Sequence, residues 1–183
     1  MLDTLREAME GIPVRLEAQV SLLLETVNSF FAAKGSNHRR LRECLQDFLD
    51  GLNHAKEPQV ESCVSRYAEG YAKYFAPFME RHSYMMENYL VNHIFRAGFP
   101  FYNGPKLASN PLREYIFMCL EFSAIKGLLI GAAAHYRDAF SVEHVVKIVQ
   151  SVVKALEHDC LVRRTINWEG LCDPISMAAL LKN

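Results

Sequence analysis

Apolar positions recur at helical spacing along most of the chain, and one stretch departs from the one-sided pattern. From Asn110 to Tyr136 the sequence NPLREYIFMCLEFSAIKGLLIGAAAHY places Tyr115, Phe117, Met118, Leu120, Phe122, Ile125, Leu128, Leu129 and Ile130 on nearly every face of a helix. Pro111 suits its first turn, and nothing breaks it before its end. Glu121 and Lys126 keep its uncharged runs well below the roughly 20 residues that a bilayer span needs. The pattern predicts a soluble, all-α fold: a single helical bundle of about six to eight helices, residues 1–183, around this buried central helix. Ser123, Gly127 and Gly131 leave one of its faces nearly smooth, which predicts close approach by a neighbouring backbone. Glu121 and Lys126 lie about 140° apart, so each needs a partner from elsewhere in the fold.

The remaining helices are ordinary amphipathic ones. Leu5 to Lys34 is helical with Pro13 dividing a lead-in from the main segment, whose stripe is Leu16, Val20, Leu23, Leu24, Val27, Phe30 and Phe31. Gly35 supplies a stop, and Ser36 or Asn37 a cap for a second helix carrying Leu41, Leu45, Phe48, Leu49 and Leu52. Pro58 opens a third helix lined by Val60, Val64, Tyr67, Tyr71, Tyr74, Phe75 and Phe78, with a kink or break expected at Pro77. A fourth runs from about Glu80 to Ala97 and ends at Gly98 and Pro100. The aromatic connection from Phe99 to Pro105 is expected to fold back onto the domain. Ser141 caps a further helix with Val145, Val149, Val152 and Leu156, and Glu143 sits favourably in its first turn. After Trp168, Asp173 and Pro174 introduce a short helix over residues 175–181. No strand alternation, repeat or low-complexity linker is present.

Composition narrows the function classes. The 183 residues are 50% hydrophobic and 22% charged with formal net charge −1, which argues against an electrostatic nucleic-acid binder. The basic run His38, Arg39, Arg40, Leu41, Arg42 reads first as a solvated helix start and second as an anion contact. The charged, amphipathic start MLDTLREAME carries no secretory signal. Five cysteines, Cys44, Cys63, Cys119, Cys160 and Cys172, show no CxxC spacing, so reduced thiols of a cytoplasmic protein are the plain reading and no metal site is expected in this chain.

Candidate chemistry concentrates in the fourth helix. Its projection puts Met86, Leu90, Val91, Ile94, Phe95 and Ala97 on one arc and Asn88, Tyr89, Asn92, His93 and Arg96 on the other. Glu87 falls inside the apolar arc, where a carboxylate is either partnered or raised in pKa. Asn88, Asn92 and Arg96 form a polar stripe that is either simply hydrated or a recognition surface. Glu157, His158 and Asp159 close a later helix, where the dipole favours a histidine. No serine or cysteine sits in a nucleophile elbow, and no glycine-rich phosphate loop occurs.

The block Glu87-Asn88-Tyr89-Leu90-Val91-Asn92-His93-Ile94-Phe95-Arg96-Ala97-Gly98-Phe99-Pro100-Phe101, with the AIKGLLIG run and the LEH helix end, resembles the carboxy-terminal part of the flagellin lysine N-methylase family (FliB). The likeness covers roughly Tyr84 to Asp159. It implies a bacterial cytoplasmic methyltransferase that moves methyl groups from S-adenosylmethionine to lysines of flagellin. It also implies a cysteine-rich amino-terminal segment with an iron–sulfur cluster; nothing here matches that segment, so the chain reads as a carboxy-terminal fragment whose partners are flagellin and that missing region. Lysine must lose its proton before it attacks a methyl sulfonium. Glu87 and Glu121 are the candidates for holding the ammonium or accepting the proton; Tyr89, Asn88, Asn92, Arg96 and Lys126 are candidates for substrate or donor contacts. The alternative reading is a non-catalytic docking module for flagellin or for the cysteine-rich half.

Overall fold

The computed structural model describes residues 11–32, 38–99 and 111–158. The expected lead-in before residue 11, the stop and cap at residues 33–37, the connection at 100–110 and the whole segment after 158, with Trp168 and the tail helix, lie outside them. All regular structure among the described residues is helical: α1 (Leu16–Ala32), α2 (Arg39–Gly51), α3 (Val60–Gly70), a π-helical turn (Tyr71–Phe75), α4 (Ala76–His82), α5 (Tyr84–Ala97), α6 (Pro111–Tyr136), a 3-10 turn (Arg137–Ala139) and α7 (Val142–His158).

Internal contacts gather the chain into two compact units, and α6 contributes a half to each. The second unit holds α1 to α4 and α7 with residues from Ala124 onward. Here the second half of α6 is enclosed as its all-round apolarity requires: Ile125, Leu129, Ile130, Ala132 and Ala133 are fully buried and Leu128 is 4% exposed. Val20 and Val27 from α1, Phe48 from α2 and Tyr67 from α3 complete that core. By length and apolarity α6 could cross a membrane, but 61% of its most apolar stretch is buried inside the protein. That is the signature of a core helix.

The smooth face of α6 does receive neighbouring backbone. A methyl group built on Gly51 of α2 would lie against the carbonyl oxygen of Gly131, and one on Gly131 would run into Phe48. Only two helices bare of side chains at their crossing can come this near.

Local signals set most helix ends. Gly98 adopts the left-handed conformation at φ 63°, and the bonds Gly98 N–H to Phe95 O (3.3 Å) and Phe99 N–H to Ile94 O (3.1 Å) close α5 as a Schellman motif. At the start of α7 the Ser141 carbonyl accepts from the N–H groups of His144 and Val145, while the His144 ring accepts the Ser141 N–H at 3.1 Å. The His144 ring thus supplies the N3 half of a capping box, while the Ser141 hydroxyl donates to Glu143 at 2.5 Å instead of accepting from the backbone. His38, without a side-chain cap bond, precedes α2.

The break expected at Pro77 does not occur there. The wider turn at Tyr71–Phe75 absorbs the proline instead: Ala76 N–H reaches back five residues to Tyr71 O, and α4 then runs through Pro77 to His82. Widening the turn relieves the clash a proline ring makes with the carbonyl four residues back. The chain turns later, at Ser83.

In the first unit Met86 of α5 and Ile116, Cys119 and Leu120 of α6 are each 8% exposed or less, and the two helices meet at Tyr89 and Glu121.

Crowding at the glycines generates a ranked prediction. Gly51→Ala forces a methyl group onto backbone, which cannot yield, whereas the nearest atom to a methyl on Gly127 is the end of the Leu23 side chain. Alanine returns about 1 kcal/mol of helix propensity in both cases. Thermal unfolding followed by circular dichroism should show Gly51→Ala destabilised by about 2 kcal/mol or more, and Gly127→Ala by clearly less.

Candidate functional site

A carboxylate on a helix with so little polar surface needs donors. In the first unit the Glu121 side chain is only 9% exposed, and α5 supplies the donors from a single face. The Tyr89 hydroxyl donates to Glu121 Oε1 at 2.6 Å, and His93 Nδ1 stands 3.6 Å from the same oxygen. Four-residue spacing stacks Tyr89 above His93 along the helix, with ring centroids 6.1 Å apart. Phe122 brings a third ring to 6.4 Å from Tyr89. Burial, then the negative charge of Glu121 and the hydrogen bond to it, push the Tyr89 phenol well above its ordinary range, while Arg96 pulls the other way. Tyr89 therefore remains a protonated donor throughout the physiological range.

This arrangement corrects the projected face of α5. Glu87, expected inside the buried arc, is exposed, as are Val91 at 44% and Phe95 at 82%. The buried face instead centres on Met86, Tyr89, Leu90, His93 and Ile94. The physical reason is Glu121: satisfying its carboxylate turns Tyr89 and His93 inward, and two apolar side chains are left in solvent. Glu87 occupies the first turn of α5, where an exposed carboxylate is favoured by the helix dipole. The argument from burial that put Glu87 forward falls with this placement. Asn88, Asn92 and Arg96 share the exposed side of the helix.

Of the candidate residues, the structure brings Tyr89 together with Glu121 and adds His93, which had not been singled out. The available signal was its position four residues after Tyr89, on the same face. A buried carboxylate bordered by aromatic rings is suited to a cation: the carboxylate offers the charge and the rings offer their electron-rich faces.

Cys44, Cys63 and Cys119 are separately buried free thiols on three helices, and burial raises the pKa of each. A metal needs thiolate, which such surroundings disfavour. No three His, Cys, Asp or Glu side chains converge among the described residues.

Lys126 lies in the second unit, its ammonium 6.0 Å from the centroid of the Tyr71 ring. Burial lowers its pKa from 10.5 to about 8. Between those two values the unfolded chain binds more protons than the folded one, so stability rises with pH across that window. At neutral pH the buried charge costs about 3 kcal/mol. Urea unfolding should therefore find Lys126→Met more stable than the parent at pH 7, with the difference shrinking steadily as the buffer approaches pH 10.5. A difference independent of pH would show that Lys126 acts by packing alone.

The comparisons with known proteins agree with the block on α5 and extend beyond it. A family model described as the FliB lysine N-methylase C-terminal domain matches residues 1–167. No curated protein and no solved structure gives a match. With nearly its whole length under that one model, the chain belongs to the FliB lysine N-methylase C-terminal domain family.

Proposed function

We propose that this domain serves lysine N-methylation of flagellin by receiving the acceptor side chain at Glu121. The observation that carries the reading is the geometry on α5 and α6: a carboxylate 9% exposed, fixed by a 2.6 Å bond from Tyr89, with His93 Nδ1 3.6 Å away and the Phe122 ring beside that of Tyr89.

The chemistry follows from the acceptor. A lysine ε-ammonium has no lone pair and cannot attack carbon, so a methylase must bind the cation and then free it of a proton. Glu121 draws the ammonium in by charge, and the aromatic surround strips water from it, which lowers the cost of the neutral amine. The N–H bond breaks as its proton passes to a Glu121 oxygen, leaving the nitrogen pair free for the methyl carbon. Tyr89, held protonated, keeps Glu121 in one orientation through the transfer.

S-Adenosylmethionine is the donor in this reading and supplies an electrophilic methyl group on a sulfonium. A groove lined by residues 38–41 and by Gln150, Ser151 and Lys154 in the second unit does not suit it: three lysine or arginine side chains there repel a cationic sulfonium. We assign no residue to the donor.

A non-catalytic docking role for flagellin or for the cysteine-rich half is the second reading. It is favoured by Tyr84, Val91 and Phe95, 52%, 44% and 82% exposed along one side of α5.

The two readings separate in the complete methylase. Glu121→Gln keeps the shape and the acceptor for Tyr89 but removes the charge. Methyl incorporation into flagellin should fall about 100-fold while flagellin binding and thermal stability stay close to the parent. Tyr89→Phe should give a smaller loss, about tenfold. Full methylation by Glu121→Gln would remove the catalytic reading, and loss of binding in Phe95→Ser with methylation of free lysine peptides retained would favour docking.

A further inference from the structure

A second feature stands apart from the Glu121 cluster and does not depend on the methyl-transfer reading. Between the start of α2 and the last turns of α7, within the second unit, lies an open groove of about 440 Å³. His38, Arg39, Arg40 and Leu41 line one wall; Gln150, Ser151 and Lys154 line the other. Among the described residues no carboxylate lines it. Arg39 is engaged by Glu43 at 3.2 Å on the exposed side of α2. Arg40 and Lys154, one from each wall, have no ion pair among the described residues, and both are exposed.

Like charges facing one another across a groove repel, and a chain of net charge −1 has no general surplus of cations to explain them. The positive end of the 13-residue helix α2 adds to the same field. We propose that this groove binds an acidic peptide segment, its side-chain carboxylates reaching Arg40 and Lys154 from opposite walls.

Shape and lining select that class of ligand. At about 440 Å³ and partly open to solvent, the groove has room for several residues of a peptide and far exceeds what one oxyanion fills. The one ring among its described lining residues is the His38 imidazole, a smaller stacking surface than the phenylalanine, tyrosine or tryptophan platforms that hold nucleotide bases. Leu41 offers apolar contact, and the Gln150 amide can both donate to and accept from a peptide backbone. The Ser151 hydroxyl already donates to Lys147 O at 2.6 Å and serves as wall.

The test uses the full 183-residue chain. A short fluorescein-labelled peptide of alternating Glu and Ser is titrated against it by anisotropy, beside the same peptide with Gln for Glu and beside inorganic phosphate as competitor. The Glu peptide should bind saturably and weaken as salt is added; the Gln peptide should not bind. The double variant Arg40→Glu, Lys154→Glu should weaken binding at least tenfold with unchanged helical content. Should that variant not fold, Arg40→Gln and Lys154→Gln singly should each weaken binding about threefold. No binding of the Glu peptide, equal binding of the Gln peptide, indifference to the charge variants, or displacement by phosphate at concentrations matching the peptide's would each overturn the proposal.

Discussion

A charge on a helix that has almost no polar side is the constraint from which much of this molecule follows. The Glu121 side chain is only 9% exposed, so the helix beside it must present donors, and α5 is turned to do so. The turn has a cost that is visible on the surface. Phe95 stands 82% exposed because the opposite face carries Tyr89 and His93 inward. A buried hydrogen-bonded carboxylate outweighs the burial of one phenylalanine, since an unpaired charge in the interior costs several kcal/mol while the ring yields about 2 to 3.

The same logic divides what could be read in the sequence from what could not. The all-round apolarity of residues 110–136 identifies the core helix, and the spacing of Ser123, Gly127 and Gly131 points to a close crossing. Gly131 meets Gly51 there, although its partner could not be named from the pattern. Helix ends marked by local chemistry, Gly98 and Ser141 among them, were legible because a cap depends on a few neighbouring residues. The facing of α5 was not legible. Its apolar arc is correct as a projection, but a projection weighs only the helix's own side chains. The decisive partner lies 32 residues away on α6. That partner leaves Glu87 exposed and turns His93 inward, which no projection of α5 alone can show.

Close packing and buried charge are also linked in the second unit. Gly127 and Gly131 bring α1 and α2 onto α6, and beside them the buried Lys126 ammonium rests near the Tyr71 ring with a pKa lowered to about 8. A cation held against an aromatic face regains part of the hydration it loses, but only part. Glu121 is met by a phenolic donor and a histidine, whereas burial dominates at Lys126.

The wide turn at Tyr71–Phe75 bears on how this family could vary in length. A five-residue bond accommodates one amino acid more than an ordinary helical turn while the rod continues, so it is where a single codon can be gained or lost without severing α3 from α4. Losing that residue would swing every side chain of α4 around the axis by about 100° relative to α3. Phe78, set edge-on against Phe140 at 4.9 Å, would then face elsewhere. The extra residue is thereby tied to a ring on a distant part of the chain, and the two can be expected to change only together.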